Sequence, residues 1–149
     1  MTGPKPNPIG RHKPARDNSE SMRFVLLITA APQLPGAWHA WHFARTVLTA
    51  GHSLTTFFYG DAVATANRLR FQAQDETPLG ELWSDLARSS GLELPVCVAA
   101  ALRRGVTDEA NARRHQLDGE NLHPAFRLAG LGELTEALSG ADRVITFAG

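Results

Sequence analysis

Five apolar residues in a row, Phe24-Val25-Leu26-Leu27-Ile28, stand near the start of this 149-residue chain. A continuous apolar run of this length is typical of a parallel β-strand that is buried on both of its faces. Further strands are predicted over 54–59, 92–97, 126–129 and 144–147. Helical segments separate them, so the pattern predicts an α/β fold of flavodoxin-like outline. We expect one domain over residues 22–149, a parallel sheet with helices on both faces.

The segments between the predicted strands carry the signals of helices. Pro78 predicts the start of a helix through Ser90, and short helices are predicted over 98–104 and 132–139. Asp61 and Thr107 are predicted to cap two further short helices with their side-chain oxygens. Another helix is predicted to end at Gly51. Its core-facing stripe consists of Ala37, Ala40, Trp41, Ala44, Val47 and Leu48.

Composition excludes several classes of protein. The chain is 43% hydrophobic and 20% charged, which is enough apolar material for a packed core. No run approaches the ~18 consecutive apolar residues of a transmembrane helix. Cys97 is the only cysteine, which excludes an internal disulfide and any cysteine-rich zinc or iron–sulfur site within one chain. A lone thiol without a secretory signal predicts a cytoplasmic protein.

Charge is distributed unevenly along the chain. The first 22 residues carry four basic and two acidic side chains, a net charge of +2. Residues 1–21 also hold four prolines and few large apolar side chains, which predicts a disordered tail. From Arg23 onward, 11 arginines face 13 carboxylates and no lysine occurs. The absence of lysine excludes Schiff-base and Walker-type phosphate chemistry, and the body lacks the basic footprint of a duplex-DNA-binding protein.

Cys97 occupies the position most typical of a functional residue. It ends a predicted strand and begins a predicted helix, and in open α/β sheets chemistry gathers at the carboxyl ends of the strands. The positive end of a helix dipole favours a thiolate, and Arg103 and Arg104 further along would add positive potential. The alternative is that Cys97 is a buried small hydrophobe, the usual role of a free cysteine.

The segment around this cysteine reads Cys97-Val98-Ala99-Ala100-Ala101-Leu102-Arg103-Arg104-Gly105-Val106. It resembles the active-site segment of the TusD/DsrE family of sulfur-relay proteins, and within that family the TusD branch. Ala50-Gly51-His52 and Phe57-Phe58-Tyr59 fit the same family in order, so that the resemblance covers nearly all of residues 22–147. It implies a DsrE-like fold and a sulfurtransferase subunit that carries sulfur as a persulfide on Cys97. It implies no metal and no cofactor.

The resemblance also implies partners. These are TusB-like and TusC-like sister subunits in a heterohexamer, a TusA-like sulfur donor and a TusE-like acceptor, acting in 2-thiolation of the tRNA wobble uridine. Neither direct nucleic-acid binding nor membrane binding is implied. A DsrE-type subunit of dissimilatory sulfur oxidation, with a DsrC-like acceptor, uses the same chemistry and stays open. So does a non-catalytic assembly subunit in which Cys97 is structural.

Other residue patterns suggest weaker alternatives. His39 and His42 lie three residues apart on a predicted helix, but a metal site would need a third ligand. His115 or His123 would be the base of a Cys/His hydrolase, although neither lies in a recognisable motif. A dinucleotide site is disfavoured because Gly130-Leu131-Gly132 lacks the third glycine and is followed by an acidic residue.

Two aromatic residues have no obvious place in the predicted core. Trp38 aligns with the polar face of its predicted helix, and Phe71 lies in a predicted polar loop. Protein interfaces concentrate such side chains near their centres. We therefore expect a partner protein to bury at least one of them.

Overall fold

The computed structural model describes residues 2–3 and 20–149, and its strands form one five-stranded parallel sheet. The strands are β1 (Arg23–Ile28), β2 (Ser53–Phe58), β3 (Leu94–Cys97), β4 (Phe126–Ala129) and β5 (Arg143–Phe147). The helices are α1 (Pro35–Thr49), α2 (Leu79–Ser90), α3 (Val98–Arg103), α4 (Glu109–His115) and α5 (Leu131–Ser139), with a 3₁₀-helix over Gly60–Ala66. The predicted α/β fold is confirmed. The tail predicted over 1–21 lies almost wholly outside the described residues.

The order of the strands places helices on both faces of the sheet. The order is β4-β3-β2-β1-β5, so the chain steps from β1 to β4 and then crosses the whole sheet to reach β5. Because parallel crossovers are right-handed, the return crossing puts α5 on the face opposite to α1 and α2. Phe43 of α1 marks the first face, since its ring packs against Phe24 at 6.0 Å and Phe147 at 5.7 Å.

The larger part of the hydrophobic core lies between the sheet and the two helices α1 and α2. Phe58 of β2 packs edge-on against Trp83 of α2 and against Phe126 of β4, with both pairs of ring centroids 5.3 Å apart. All three residues are buried. In the predicted stripe of α1 the small residues are buried, whereas Trp41 and Leu48 are half-buried. No helix in the described residues has the length and apolar character needed to cross a membrane.

Two of the predicted helix caps are wrong. The cap of α4 is Asp108, whose Oδ1 accepts from the Asn111 amide at 2.8 Å. Thr107 instead donates its hydroxyl to the Asp108 carbonyl oxygen and its amide to a side chain of the following loop. Asp61 lies inside the 3₁₀-helix and makes no cap hydrogen bond, because its carboxylate accepts from Arg104. The Asp61 carboxylate is thus taken by a residue distant in sequence, whereas the Thr107 hydroxyl bonds the adjacent residue.

Gly36 cannot carry a larger side chain, because the last residues of the sequence pass close to the first turn of α1. A Cβ at Gly36 would lie well inside van der Waals contact with the carbonyl oxygen of Ala148. We expect Gly36→Ala to lower the free energy of unfolding by about 1–3 kcal/mol, the usual cost of overpacking. The matched control is Gly132→Ala in α5, where a Cβ would meet no atom within 4 Å and the change should stay within about 0.5 kcal/mol. Urea unfolding followed by circular dichroism measures both, and equal stability of the two variants would contradict the prediction.

Candidate functional site

Cys97 is the last residue of β3 and immediately precedes α3, as the sequence predicts. Its neighbour Val96 pairs with Phe58, whose ring faces α2. Because successive side chains of a strand point to opposite faces, Cys97 points to the face covered by α5. The side chain is only 1% exposed. The thiol is therefore shielded from bulk solvent.

A pocket of about 260 Å³ adjoins the buried thiol. For comparison, a water molecule occupies about 30 Å³ in the liquid, so the pocket has room for an added sulfur atom and more. No histidine and no carboxylate lines it within the part of the chain that the structure describes. The lining residues are Tyr59, Gly60, Cys97, Ala99, Ala100, Arg103, Arg104 and Leu131.

The two arginines that the sequence places near Cys97 both line this pocket, but they differ in their contacts. Arg104 donates from Nε to Asp61 Oδ1 at 2.9 Å and from Nη1 to the Ala100 carbonyl oxygen at 3.3 Å. Arg103 is exposed and has no carboxylate partner among the described residues. Because α3 is only six residues long, its dipole gives weak support to an anion. The uncompensated positive charge at the pocket is that of Arg103.

An ion-pair cluster fixes the first turn of α5, which carries Leu131. Arg127 of β4 donates to both carboxylate oxygens of Glu133, and its Nη2 also donates to Glu93 at 2.8 Å. These hydrogen bonds raise the pKa of Arg127, and the bond from Arg127 lowers the pKa of Glu133. Glu133 lies two residues after Leu131, so the cluster holds one wall of the Cys97 pocket in place.

The lowered pKa of Glu133 predicts a loss of stability in acid. A carboxylate whose pKa is depressed by folding stabilises the native state above its unfolded pKa, here the ordinary 4.5. That contribution is lost as the pH falls from 4.5 through the native pKa. Because these side chains are partly exposed, we expect less than about 1 kcal/mol. Urea unfolding at neutral and acidic pH should show a shallower acid dependence in Glu133→Gln than in the wild type, and identical slopes would contradict the assignment.

The histidines of the weaker alternatives lie elsewhere. His39, His42 and His115 are exposed, and no group of three potential metal ligands occurs among the described residues. His123 Nε2 contacts Glu81 Oε1 at 3.0 Å, and its Nδ1 accepts from the Ala125 amide at 3.1 Å. Both ring nitrogens of His123 therefore already have polar partners. A Cys/His hydrolase would need a base at Cys97, and the described lining of its pocket holds none.

The two aromatic residues predicted at an interface differ in environment. Trp38 is half-buried and packs against the core, and its Nε1 donates to the Pro32 carbonyl oxygen at 3.1 Å. Trp38 is thus half-buried rather than fully exposed, because the loop before α1 folds back against it, and its burial by a partner protein stays a prediction. Phe71 is 92% exposed. Both line a second cavity, on the face of α1 and α2.

Three residues of the Cys97 pocket were missed by reasoning from sequence. Tyr59 and Gly60 directly follow β2. Leu131 is the first residue of α5 and is separated from the end of β4 by one residue. The available signal was their position, since ligand sites in open α/β sheets form from the residues that follow the carboxyl ends of strands.

The comparison with known families agrees with this geometry. A family model described as the DsrE/DsrF-like family matches residues 22–147. The chain belongs to this family. Sulfurtransferase TusD of Cronobacter sakazakii is 48% identical over 128 residues, which cover 85% of this chain and 100% of that protein. Putative sulfurtransferase DsrE of Allochromatium vinosum is 42% identical over 128 residues, covering 85% of this chain and 98% of its own.

A solved structure supports the same fold. The crystal structure of the YchN protein from E. coli superimposes with a TM-score of 0.66 at 15% sequence identity, covering 86% of this chain and all of that one. At this identity the likeness bears on the fold alone. This structure confirms the predicted fold, and the family match with the relatives above confirms the predicted family and the predicted sulfurtransferase class.

Access to the thiol provides a test of the pocket. Leu131 and Leu138 are both exposed leucines of α5, but only Leu131 lines the Cys97 pocket. We expect Leu131→Ala to react about tenfold faster than the wild type with a bulky aromatic disulfide at Cys97. The smaller side chain widens the entrance, and a tenfold change corresponds to an activation barrier about 1.4 kcal/mol lower. Leu138→Ala is the control and should react like the wild type. Equal rates in the two variants would show that Leu131 does not limit access.

Proposed function

We propose that this chain is a sulfur-relay subunit that receives, holds and passes on sulfur as a persulfide of Cys97. The observation that carries the proposal is a single cysteine, buried at the end of β3, with a pocket beside it large enough for an added sulfur atom. Membership of a family with relatives named sulfurtransferase supports the sulfur-relay role.

The transfer proceeds by two displacements at sulfur. The Cys97 thiolate attacks the outer sulfur of a donor persulfide, a Cys97–sulfur bond forms, the donor's sulfur–sulfur bond breaks, and the donor thiolate leaves with the electron pair. An acceptor thiolate then attacks the outer sulfur on Cys97 and releases the Cys97 thiolate. Each step moves one sulfur atom at constant overall oxidation state, so no external oxidant or reductant enters.

The residues around Cys97 suit this chemistry. Gly60, Ala99 and Ala100 present small surfaces that leave space for the outer sulfur. The Arg103 guanidinium lines the pocket and gives it a positive charge. The ion pair between Arg104 and Asp61 connects the end of α3 to the 3₁₀-helix. It thereby fixes a second wall of the Cys97 pocket. With donor and acceptor each supplying the second sulfur, one cysteine is sufficient.

For the place of this reaction, we propose a TusA-like donor and a TusE-like acceptor in 2-thiolation of the tRNA wobble uridine. The protein would act in the cytoplasm, in a hetero-oligomer with TusB-like and TusC-like sister subunits. Relatives named TusD at 48% identity support this role. A DsrE-type role in sulfur oxidation is the second candidate, because a relative named DsrE is 42% identical over nearly the same span.

Sulfur loading tests the persulfide itself. The purified full chain is incubated with a cysteine desulfurase, cysteine and a TusA-like donor, and its intact mass is measured. We expect a gain of one sulfur atom that disappears on reduction and moves to a TusE-like protein when that is added. A chain that stays at its original mass while the donor is loaded would overturn the proposal.

A cellular test separates the two candidate roles. The chain is expressed in Cronobacter sakazakii lacking its own TusD, and 2-thiouridine in tRNA is quantified by mass spectrometry. Restored thiolation supports the first role. Loading of Cys97 without restored thiolation, together with transfer to a DsrC-like acceptor, supports the second.

A further inference from the structure

Tyr59 is a direct neighbour of Cys97 across the sheet. Phe58 of β2 pairs with Val96 of β3 in parallel register. Tyr59 and Cys97 each follow one residue later, so they lie level with each other on adjacent strands, which are about 4.8 Å apart. The backbone of Tyr59 is extended, with φ −134° and ψ 159°, and its side chain therefore continues the alternation of β2 and points to the same face as Cys97. Both side chains line the pocket of about 260 Å³.

The backbone holds this tyrosine in place. Its amide donates to the carbonyl oxygen of Ile28 at 2.9 Å, which extends the hydrogen bonding between β1 and β2 by one residue. On the other side of Cys97, Ala129 of β4 presents only a methyl group. The phenol of Tyr59 is thus the polar group that the sheet itself places beside the thiol.

The other polar side chains of the described lining are less suited to contact a sulfur atom on Cys97. Arg104 is engaged by the Asp61 carboxylate and by the carbonyl oxygen of Ala100. Arg103 is exposed and lies at the far end of α3, six positions after Cys97. Tyr59 carries the one hydroxyl group of the described lining.

The Tyr59 hydroxyl is free to bind a ligand. It makes no hydrogen bond with any described residue, Cys97 included, and the residue is 41% exposed. Because a phenol is longer than the side chain of cysteine, the hydroxyl stands farther from the sheet than the buried Sγ does. The second sulfur of a persulfide lies about 2.05 Å beyond Sγ, which brings it nearer to the level of the hydroxyl.

We propose that the Tyr59 hydroxyl donates a hydrogen bond to the outer sulfur of the Cys97 persulfide and thereby assists its transfer. The inference rests on the proposed function, since it requires sulfur on Cys97. The negative charge of a persulfide anion lies on its outer sulfur, and this charge repels the thiolate that attacks there. A charge-assisted hydrogen bond disperses the charge and holds the sulfur in one position, so it lowers the barrier. No proton is transferred in this step.

Cyanide measures the effect at the sulfur itself. The full chain is loaded with inorganic polysulfide, and its intact mass shows the added sulfur. Cyanide then attacks the outer sulfur, the sulfur–sulfur bond breaks, thiocyanate forms, and the Cys97 thiolate leaves with the electron pair. We expect Tyr59→Phe, which keeps the ring and lacks the hydroxyl, to release thiocyanate about tenfold more slowly than the wild type, the loss expected for one charge-assisted hydrogen bond. Leu138→Ala, which lies outside the pocket, is the control and should match the wild type.

Alkylation of the unloaded thiol shows whether the variant has only altered the pocket. Iodoacetamide reacts with Sγ of Cys97 before any outer sulfur is present, so the wild type and Tyr59→Phe should react at equal rates. Release of thiocyanate from Tyr59→Phe at the rate of the wild type would overturn the proposal. So would an alkylation rate that falls by the same factor as the release of thiocyanate, because access alone would then explain both.

Tyr59 is the only tyrosine of the chain, so a labelled tyrosine gives one signal in a nuclear magnetic resonance spectrum. With carbon-13 at the hydroxyl-bearing carbon, this signal should shift when Cys97 is loaded and return after treatment with cyanide. The methyl disulfide of Cys97 also has an outer sulfur, but that sulfur carries no charge and accepts hydrogen bonds weakly. It should shift the signal less than half as far. Equal shifts would mean that the ring senses only added bulk, and the proposal would be wrong.

The outcomes separate this inference from the proposed function. A chain that gains no sulfur from polysulfide or from a protein donor overturns the proposed function and this inference together. A chain that gains sulfur, and releases it equally fast with and without the Tyr59 hydroxyl, retains the proposed function and contradicts the role of Tyr59 alone.

Discussion

Replacing Cys97 by serine is expected to abolish sulfur transfer completely while the fold persists. Serine nearly matches cysteine in size and fits the end of β3, but a hydroxyl cannot hold a transferable sulfur under these conditions. Since Cys97 is the only cysteine, no other thiol of the chain can substitute for it. Intact-mass measurement after incubation with a loaded donor gives the result directly, because the wild type gains one sulfur atom and the variant gains none.

A second variant makes this test robust against misfolding. Cys97 is 1% exposed, so a serine hydroxyl there would be buried, and an unpaired buried hydroxyl costs about 1–3 kcal/mol. Cys97→Ala avoids that polar group and leaves only a small cavity. Both variants should show the circular dichroism of the wild type. Sulfur transfer by either folded variant would exclude Cys97 as the carrier.

The sheet was predictable because its signal is local. The continuous apolar run in β1 is required by burial on both faces, and it is complete within one short segment. Cys97 was identifiable for a similar reason, since its position at the end of a strand and the segment that follows are contiguous in the sequence. β3 begins two residues later than predicted, because Leu92 and Glu93 precede the pairing with β4 that begins at Leu94.

The pocket walls formed by Tyr59 and Leu131 were not predicted, because these residues come from parts of the chain distant from Cys97. Tyr59 and Leu131 are 72 positions apart in sequence and share the pocket only because the sheet brings the ends of their strands together. The cap assigned to Asp61 failed for the same reason, since Arg104 reaches it from 43 residues away. The periodicity of apolar residues shows which face of one helix or strand is buried in the core. It carries little information on which side chains of separate elements contact each other.

Replacing Trp83 by alanine is expected to produce the largest loss of stability in the chain. Trp83 is the largest of the fully buried side chains and packs edge-on against Phe58 at 5.3 Å. Truncation of a buried tryptophan costs about 3–5 kcal/mol, because the apolar contacts are lost and a cavity remains. A domain of this size is stabilised by only about 5–15 kcal/mol, so a large share would be lost. Guanidinium unfolding followed by circular dichroism measures the difference.

Trp83→Phe distinguishes the two contributions of this side chain. Phenylalanine retains an aromatic ring against Phe58 and removes the Trp83 Nε1, which is buried without a hydrogen-bond partner in the described structure. Relief of that unpaired donor, about 1–3 kcal/mol, should offset much of the lost volume. We therefore expect Trp83→Phe to lose less than half as much stability as Trp83→Ala. If the two variants unfold at the same guanidinium concentration, the retained ring adds no stability at this position and the prediction is wrong.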